Sequence, residues 1–180
     1  MPNTNNGMTD SIPGYQTFTI QKGGHYCSPT LAEITSKNEL IFKVVFDSSC
    51  VYKNIDTTNQ KDINKLYGFS DCNTDHLTNS ARIGWRWYLN EMQKYELQLM
   101  AFVHINGVIQ PDVKIAVAEI GTVLNCRITC LPGKYQFEVN GSVAEMIRPC
   151  AARTIAYKLY PYFGGDETAP HRIRIFIDEL

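Results

Sequence analysis

Two arginines, a histidine and several tyrosines are the residues whose types and spacing could do chemistry in this 180-residue chain. In ARIGWRWYLN, an extended backbone sends Ile83, Trp85 and Trp87 to one face and Arg82, Gly84, Arg86 and Tyr88 to the other. Two guanidinium groups, a glycine and a phenol on one face could bed an anionic sugar, with Gly84 leaving room for the ring. The plainer reading has the tryptophans filling the core and the arginines pairing with carboxylates on neighbouring strands. In YELQLMAFVHING, the face carrying Glu96, Gln98, Met100, Phe102 and His104 mixes aromatic planes with polar tips. Sugar clefts look like this, and so do half-buried sheet surfaces under a loop. His104 could serve as a general base or as a structural histidine beside a hairpin. In YKLYPYFGGDETAPHRIRIFIDEL, Lys158, Tyr160 and Tyr162 add a cation and two stacking surfaces. Arg82, Arg86, Tyr88, Phe102, His104, Lys158, Tyr160 and Tyr162 are therefore the candidate ligand-binding set.

Metal chemistry has weaker signals. The six cysteines (Cys27, Cys50, Cys72, Cys126, Cys130, Cys150) form no C-x-x-C pair, and His25 with Cys27 or Cys72 with His76 is a thin basis for zinc. Cys126 and Cys130, four apart on a strand, lie about 13 Å apart on one face and cannot bridge each other. Reduced, buried cysteines are the expectation, and a disulfide framework is possible though not required at this length. Asp71, Asn73 and Asp75, and separately Asp166 and Glu167, offer oxygen ligands for calcium but lack the alternation of a calcium loop. No metal or other cofactor is expected.

The elements that must position these residues are strands. Period-two runs bounded by Gly, Pro, Asn and Asp predict strands over 16–20, 26–31, 40–46, 82–88, 95–105, 113–119, 126–131, 135–139, 143–147, 155–160 and 172–177. Asn106-Gly107 and Asn140-Gly141 are hairpin turns that need positive φ at both residues, and Pro132-Gly133 marks another reversal. Within 57–69, Ile63, Leu66 and Tyr67 fall at helical spacing behind a threonine cap, which predicts one short crossover helix. At the C-terminus, Ile173, Ile175 and Ile177 should face the core and Arg172, Arg174 and Phe176 the outside. The expected fold is all-β: a jelly-roll sandwich of two antiparallel sheets with one short helix. It occupies residues 13–180, behind a flexible polar arm over residues 1–12.

Composition excludes some partners. With 17 basic and 18 acidic side chains and a formal charge of -1, no basic field exists to neutralise a nucleic-acid backbone. No apolar run approaches the roughly 20 residues of a membrane span. The first ten residues lack the charged and apolar regions of a secretion signal, which fits a protein used where it is made, one carried in a virion, or one trimmed after export.

The segment from Tyr95 onward, with HINGV, IAVAEIG, CRITCLPGKYQFEVNGS and the terminal tyrosine strand, resembles the second half of a concanavalin A-like β-sandwich, the lectin and glucanase jelly roll. From Leu40, including NKLYGFSDCNTDHLTNSARIGWRW, the chain also resembles uncharacterised proteins of Bacteroidetes and their phages. Family 16 glycoside hydrolases on this fold carry E-x-D-x-x-E on a strand, and no strand here has that spacing. Family 7 polysaccharide lyases, which are alginate lyases, compare more closely. Their R-[ST]-E-[LV]-R resembles Arg82-Ile-Gly-Trp-Arg86 with Gly84 in place of the glutamate. Their Q-I-H resembles Phe102-Val103-His104 without the glutamine. Their Y-F-K-A-G-V-Y-N-Q resembles the stretch holding Lys158 and Tyr162, with Gly164 where the last glutamine stands. The resemblance implies β-elimination on a uronate polymer, with Arg86 neutralising the carboxylate and His104 and Tyr162 as base and acid. The missing glutamine removes one support for that carboxylate. The reading that follows is a non-catalytic binding or adhesion module for carbohydrate, with two alternatives: a virion or cell-surface assembly unit that oligomerises through its arm, and the lyase.

Overall fold

A computed structural model describes residues 10–180. The proposed arm falls mostly outside the described residues; Asp10, at its end, pairs with Arg174. The strands are β1 (Gln16–Ile20), β2 (Cys27–Ser28), β3 (Ile34–Thr35), β4 (Glu39–Phe46), β5 (Asn64–Ser70), β6 (Ser80–Leu89), β7 (Tyr95–Ile105), β8 (Val108–Ile109), β9 (Val113–Ala118), β10 (Val123–Leu131), β11 (Lys134–Val139), β12 (Ser142–Ile147), β13 (Ala156–Leu159) and β14 (Ile173–Glu179). They form two seven-stranded sheets. The first runs β12-β11-β10-β4-β14-β1-β2; the second runs β3-β13-β5-β6-β7, with β8 and β9 both on the far edge of β7. Every strand pairing is antiparallel. Both Asn-Gly turns adopt the positive φ that the hairpins demand, 50° and 81° at Asn106 and Gly107 and 48° and 85° at Asn140 and Gly141. No helix among the described residues is long and apolar enough to cross a membrane.

Alternation decides what lies between the sheets. Phe42, Val44 and Phe46 of β4, Ile173 and Ile175 of β14, Ile83 and Trp85 of β6 and Leu97 and Leu99 of β7 are buried in one continuous core. Side chains of this size each stabilise the fold by roughly 1.5–3 kcal/mol when fully buried. Trp87 is only half-buried and stacks on the exposed Tyr95 ring.

Three expectations are corrected. The helix predicted within 57–69 is a 3-10 turn, Thr57–Lys61, capped by Asp56 and followed directly by β5. A register shift between Lys65 and Tyr67 turns both Leu66 and Tyr67 into the core, and that bulge mimics helical spacing in the sequence. Phe176 and Arg174 are not exposed: both are nearly inaccessible, and Arg174 is held by Asp10 and by Asp47 at 2.7 Å. Outward alternation assumes an uncovered sheet face, and this one is covered. Finally, Cys72 and Cys150 form a disulfide, whereas Cys27, Cys50, Cys126 and Cys130 are buried and free.

Candidate functional site

On the outer face of the second sheet, the register stacks Ser80 opposite His104, Arg82 opposite Phe102, Gly84 opposite Met100, Arg86 opposite Gln98 and Tyr88 opposite Glu96. Gly68 of β5 lies on the other side of Arg82, and Leu159 of β13 beside Gly68. A cavity of about 860 Å³ opens over the part of this face around Arg82. Of the residues predicted from sequence, Arg82, Phe102, His104, Lys158, Tyr160 and Tyr162 line it, while Arg86 and Tyr88 do not.

Arg82 is the centre of the site. Its side chain lies across bare backbone: a Cβ at position 68 would come within 2.1 Å of the Ala81 carbonyl oxygen and 2.9 Å of Arg82 Cγ, so only glycine fits there. Arg82 is 7% exposed, and its Nε has no hydrogen-bond partner among the described residues. Burial pushes the guanidinium down to about 10, and the groups acting against that are the hydroxyls of Tyr157 and Tyr162, with no carboxylate among them. It remains protonated at neutral pH, so a desolvated positive charge sits on the cavity floor without an anion.

Lys65 stands beside it. Its Nζ donates to the Gly164 carbonyl at 2.8 Å and lies 4.7 Å from the Phe102 ring centroid and 5.6 Å from that of Tyr162. Burial and the neighbouring Arg82 charge bring the ammonium down to about 8, against a raising influence of Asp62. His104, whose Nδ1 lies 3.4 Å from Ser80 Oγ, is held below its ordinary value by burial and then by Arg82 and Lys65. His76, 2.9 Å from the Tyr157 hydroxyl through Nδ1, is lowered by burial and by Arg82. Both imidazoles are therefore biased toward the neutral form, in which one ring nitrogen can accept a proton.

The wall opposite is aromatic. His25 stacks on Tyr162 with ring centroids 5.1 Å apart and planes 9° from parallel, and Tyr26 meets Tyr162 edge-on at 5.1 Å. His25 Nδ1 donates to the Phe163 carbonyl, which fixes its ring, while Tyr26 is 76% exposed at the mouth.

The remaining predicted residues are engaged elsewhere. Arg86 donates to Gln98, to the Lys61 carbonyl and to Asp112 at 3.1 Å, and its guanidinium lies over Tyr88. It is six strand positions from Ser80, hence about 20 Å along the sheet from the level of His104. Arg86 and His104 cannot meet on one sugar ring, whereas Arg82 lines the same cavity as His104. The room expected above Gly84 is filled by Ile63, whose Cγ2 lies 2.3 Å from where a Cβ would stand. Lys158 spends its ammonium on Glu33 and Glu179, each at 2.7 Å, and Tyr160 donates to Glu33. Both contribute wall rather than free polar groups. The proposed calcium ligands also have duties: Asp71 binds two arginines, Asn73 and Asp75 accept from nearby backbone N–H groups, and Glu167 accepts from Ile55, Asp56 and Asn59. Sequence reasoning missed Lys65, His76, Tyr157 and Tyr26. Lys65 was hidden by the helical reading of its segment, and the others carry no local signal because the cleft is assembled from β2, β5, β6, β7, β13 and their loops.

No family model and no curated protein matches the sequence. Solved structures do match. The alginate lyase AlyC3 superposes with a TM-score of 0.60 at 12% identity, over 91% of this chain and 72% of that one. A family 7 alginate lyase, A1-II′ in complex with product, gives 0.53 at 11% identity over 93% and 79%, and a native glycosidic hydrolase gives 0.52 at 12% over 94% and 77%. The chain has the jelly-roll β-sandwich fold of these structures, two of which are alginate lyases.

Proposed function

We propose that the cleft binds an acidic sugar residue of a polysaccharide, with the planar fork of Arg82 taking the carboxylate through paired hydrogen bonds. The observation that carries this reading is the buried guanidinium with no anionic partner among the described residues. Burying a lone charge is costly, and a ligand anion would offset that cost. Lys65 adds a second cation, and Tyr26, Phe102 and Tyr162 offer ring faces for C–H packing. Calorimetric titration with uronate oligosaccharides and with their neutral counterparts tests it. The acidic series should bind and the neutral series should not, and Arg82→Met should weaken binding by about 100-fold, the loss of one desolvated charge contact. Equal binding of neutral sugars, or an unchanged affinity in the variant, would overturn it.

A second reading has its own support, since His104 and Tyr162 line the same cavity as Arg82. In a β-elimination, one of them removes the proton beside the carboxylate, the glycosidic C–O bond breaks as a C=C bond forms, and the other protonates the leaving oxygen. Ultraviolet absorbance of an unsaturated uronate, lost in His104→Ala, is the expected sign. Binding without that product leaves a non-catalytic module.

A further inference from the structure

We infer that the cleft receives the end of an acidic glycan chain and not its middle; this rests on the reading of Arg82 as the anion site. The outer face from Ser80 to Tyr88 is a row of eight strand steps, about 26 Å, long enough for several sugar units. A polymer bound along it would have to cross the pairs Arg82–Phe102, Gly84–Met100 and Arg86–Gln98 in turn.

That path is closed two residues from Arg82, about 7 Å along the strand. Ile63 lies directly on Gly84, and Ile63, Met100 and Phe102 form a small buried cluster of their own on this face, apart from the main core. The obstruction is anchored at both ends. The Lys61 carbonyl accepts from Arg86, and Lys65 and Tyr162 exchange backbone hydrogen bonds of 2.8 and 3.0 Å. Behind it, the Asp62 carboxylate packs against Gly165, where a Cβ would stand 2.6 Å from Oδ2, and it accepts from the Asp166 N–H. Gly164 and Gly165 line the cavity, so this doubled segment is its end wall. Beyond the wall, Arg86 is already neutralised by Asp112 and offers no second anion subsite. In the other direction the cavity runs out between Leu77, Ile109 and Ile34, all exposed, which leaves an exit for the rest of the chain. Two adjacent cations, Arg82 and Lys65, next to a wall and one open side hold a terminal residue.

The test uses the full chain with uronate oligosaccharides of one to six units and with a long uronate polymer. Affinity should level off within the first few units, changing less than about threefold thereafter, and light scattering should find about one protein per polymer chain. Affinity that climbs through the whole series, or several proteins on each polymer, would overturn end recognition while leaving Arg82 as the anion site. Absence of binding to every acidic sugar would instead remove the anion reading and this inference with it. Tyr88→Ala, beyond the wall, should leave hexamer affinity within about twofold, and a loss above about tenfold would show the ligand crossing it.

Discussion

Two of the places where this sandwich buries arginine solve the charge in opposite ways. At one, Asp71 is fully buried and accepts from Arg148 Nε at 2.6 Å and Nη2 at 3.0 Å, from Arg153 Nη1 at 3.1 Å and from the Tyr135 hydroxyl at 2.7 Å. Arg148 also donates to the Leu131 and Ala151 carbonyls, and Arg153 to those of Ser70 and Lys37. The Cys72–Cys150 disulfide fastens the chain one residue from Asp71 and two from Arg148. The group ties the end of β5 in one sheet to β11 in the other, so it is a structural joint. At the second place, Arg82 has comparable burial and none of this satisfaction. A buried charge that meets a carboxylate holds a fold together; one that meets none beside a cavity is held ready for something else.

The largest effect that would sharpen this contrast is at the joint. Asp71→Asn leaves two buried guanidinium groups uncompensated and should cost about 3–5 kcal/mol of unfolding free energy, measured by denaturant titration. Burial raises the Asp71 carboxyl, but the Arg148 pair and the Tyr135 hydroxyl outweigh that and hold it below its ordinary value. Its folded value being depressed, its contribution is complete above about pH 4 and is lost as pH falls further. The wild type and Asp71→Asn should therefore converge in stability in acid; a constant gap across pH would break the assignment.

Arg82→Met should do the reverse, weakening acidic-sugar binding by about 100-fold while leaving stability unchanged or raised by about 1 kcal/mol, because an unpaired buried charge is removed and its aliphatic stem is kept. A marked loss of stability in that variant would make Arg82 a second structural joint. Gly68→Ala should destabilise by about 1–3 kcal/mol and weaken binding together, since the new methyl meets backbone beneath Arg82. The smallest effect is with pH. Lys65, facing Arg82 and Asp62, loses its charge as pH rises through about 8, so affinity for an anionic sugar should fall several-fold there. At pH below the ordinary histidine range, protonation of His104 and His76 should strengthen binding until the sugar carboxylate itself protonates. A flat profile would exclude these groups from contact with the anion.

Much of the fold was legible because its signals are local. Strand alternation marked Ile83, Trp85, Ile173 and Ile175 as core, and asparagine and glycine marked the hairpins. Legibility failed where one strand departs from period two: the bulge at Leu66 imitated a helix and concealed Lys65. It failed again at Phe176, where a covered outer face reads like a solvated one.

The sequence by itself determined the sandwich, the faces of its long strands and the presence of arginines and aromatics on one of them, because backbone pleat and turn preference act over a few residues. Only the tertiary structure decided which of those arginines is free. Arg82 and Arg86 are equivalent in the sequence, four positions apart on one face. Asp112 arrives beside Arg86 from the loop before β9, while Arg82 is covered by Phe102, Gly68 and Tyr162 and meets no carboxylate among the described residues. Whether a charge is paired depends on which distant segments fold over it, and neither period nor composition records that.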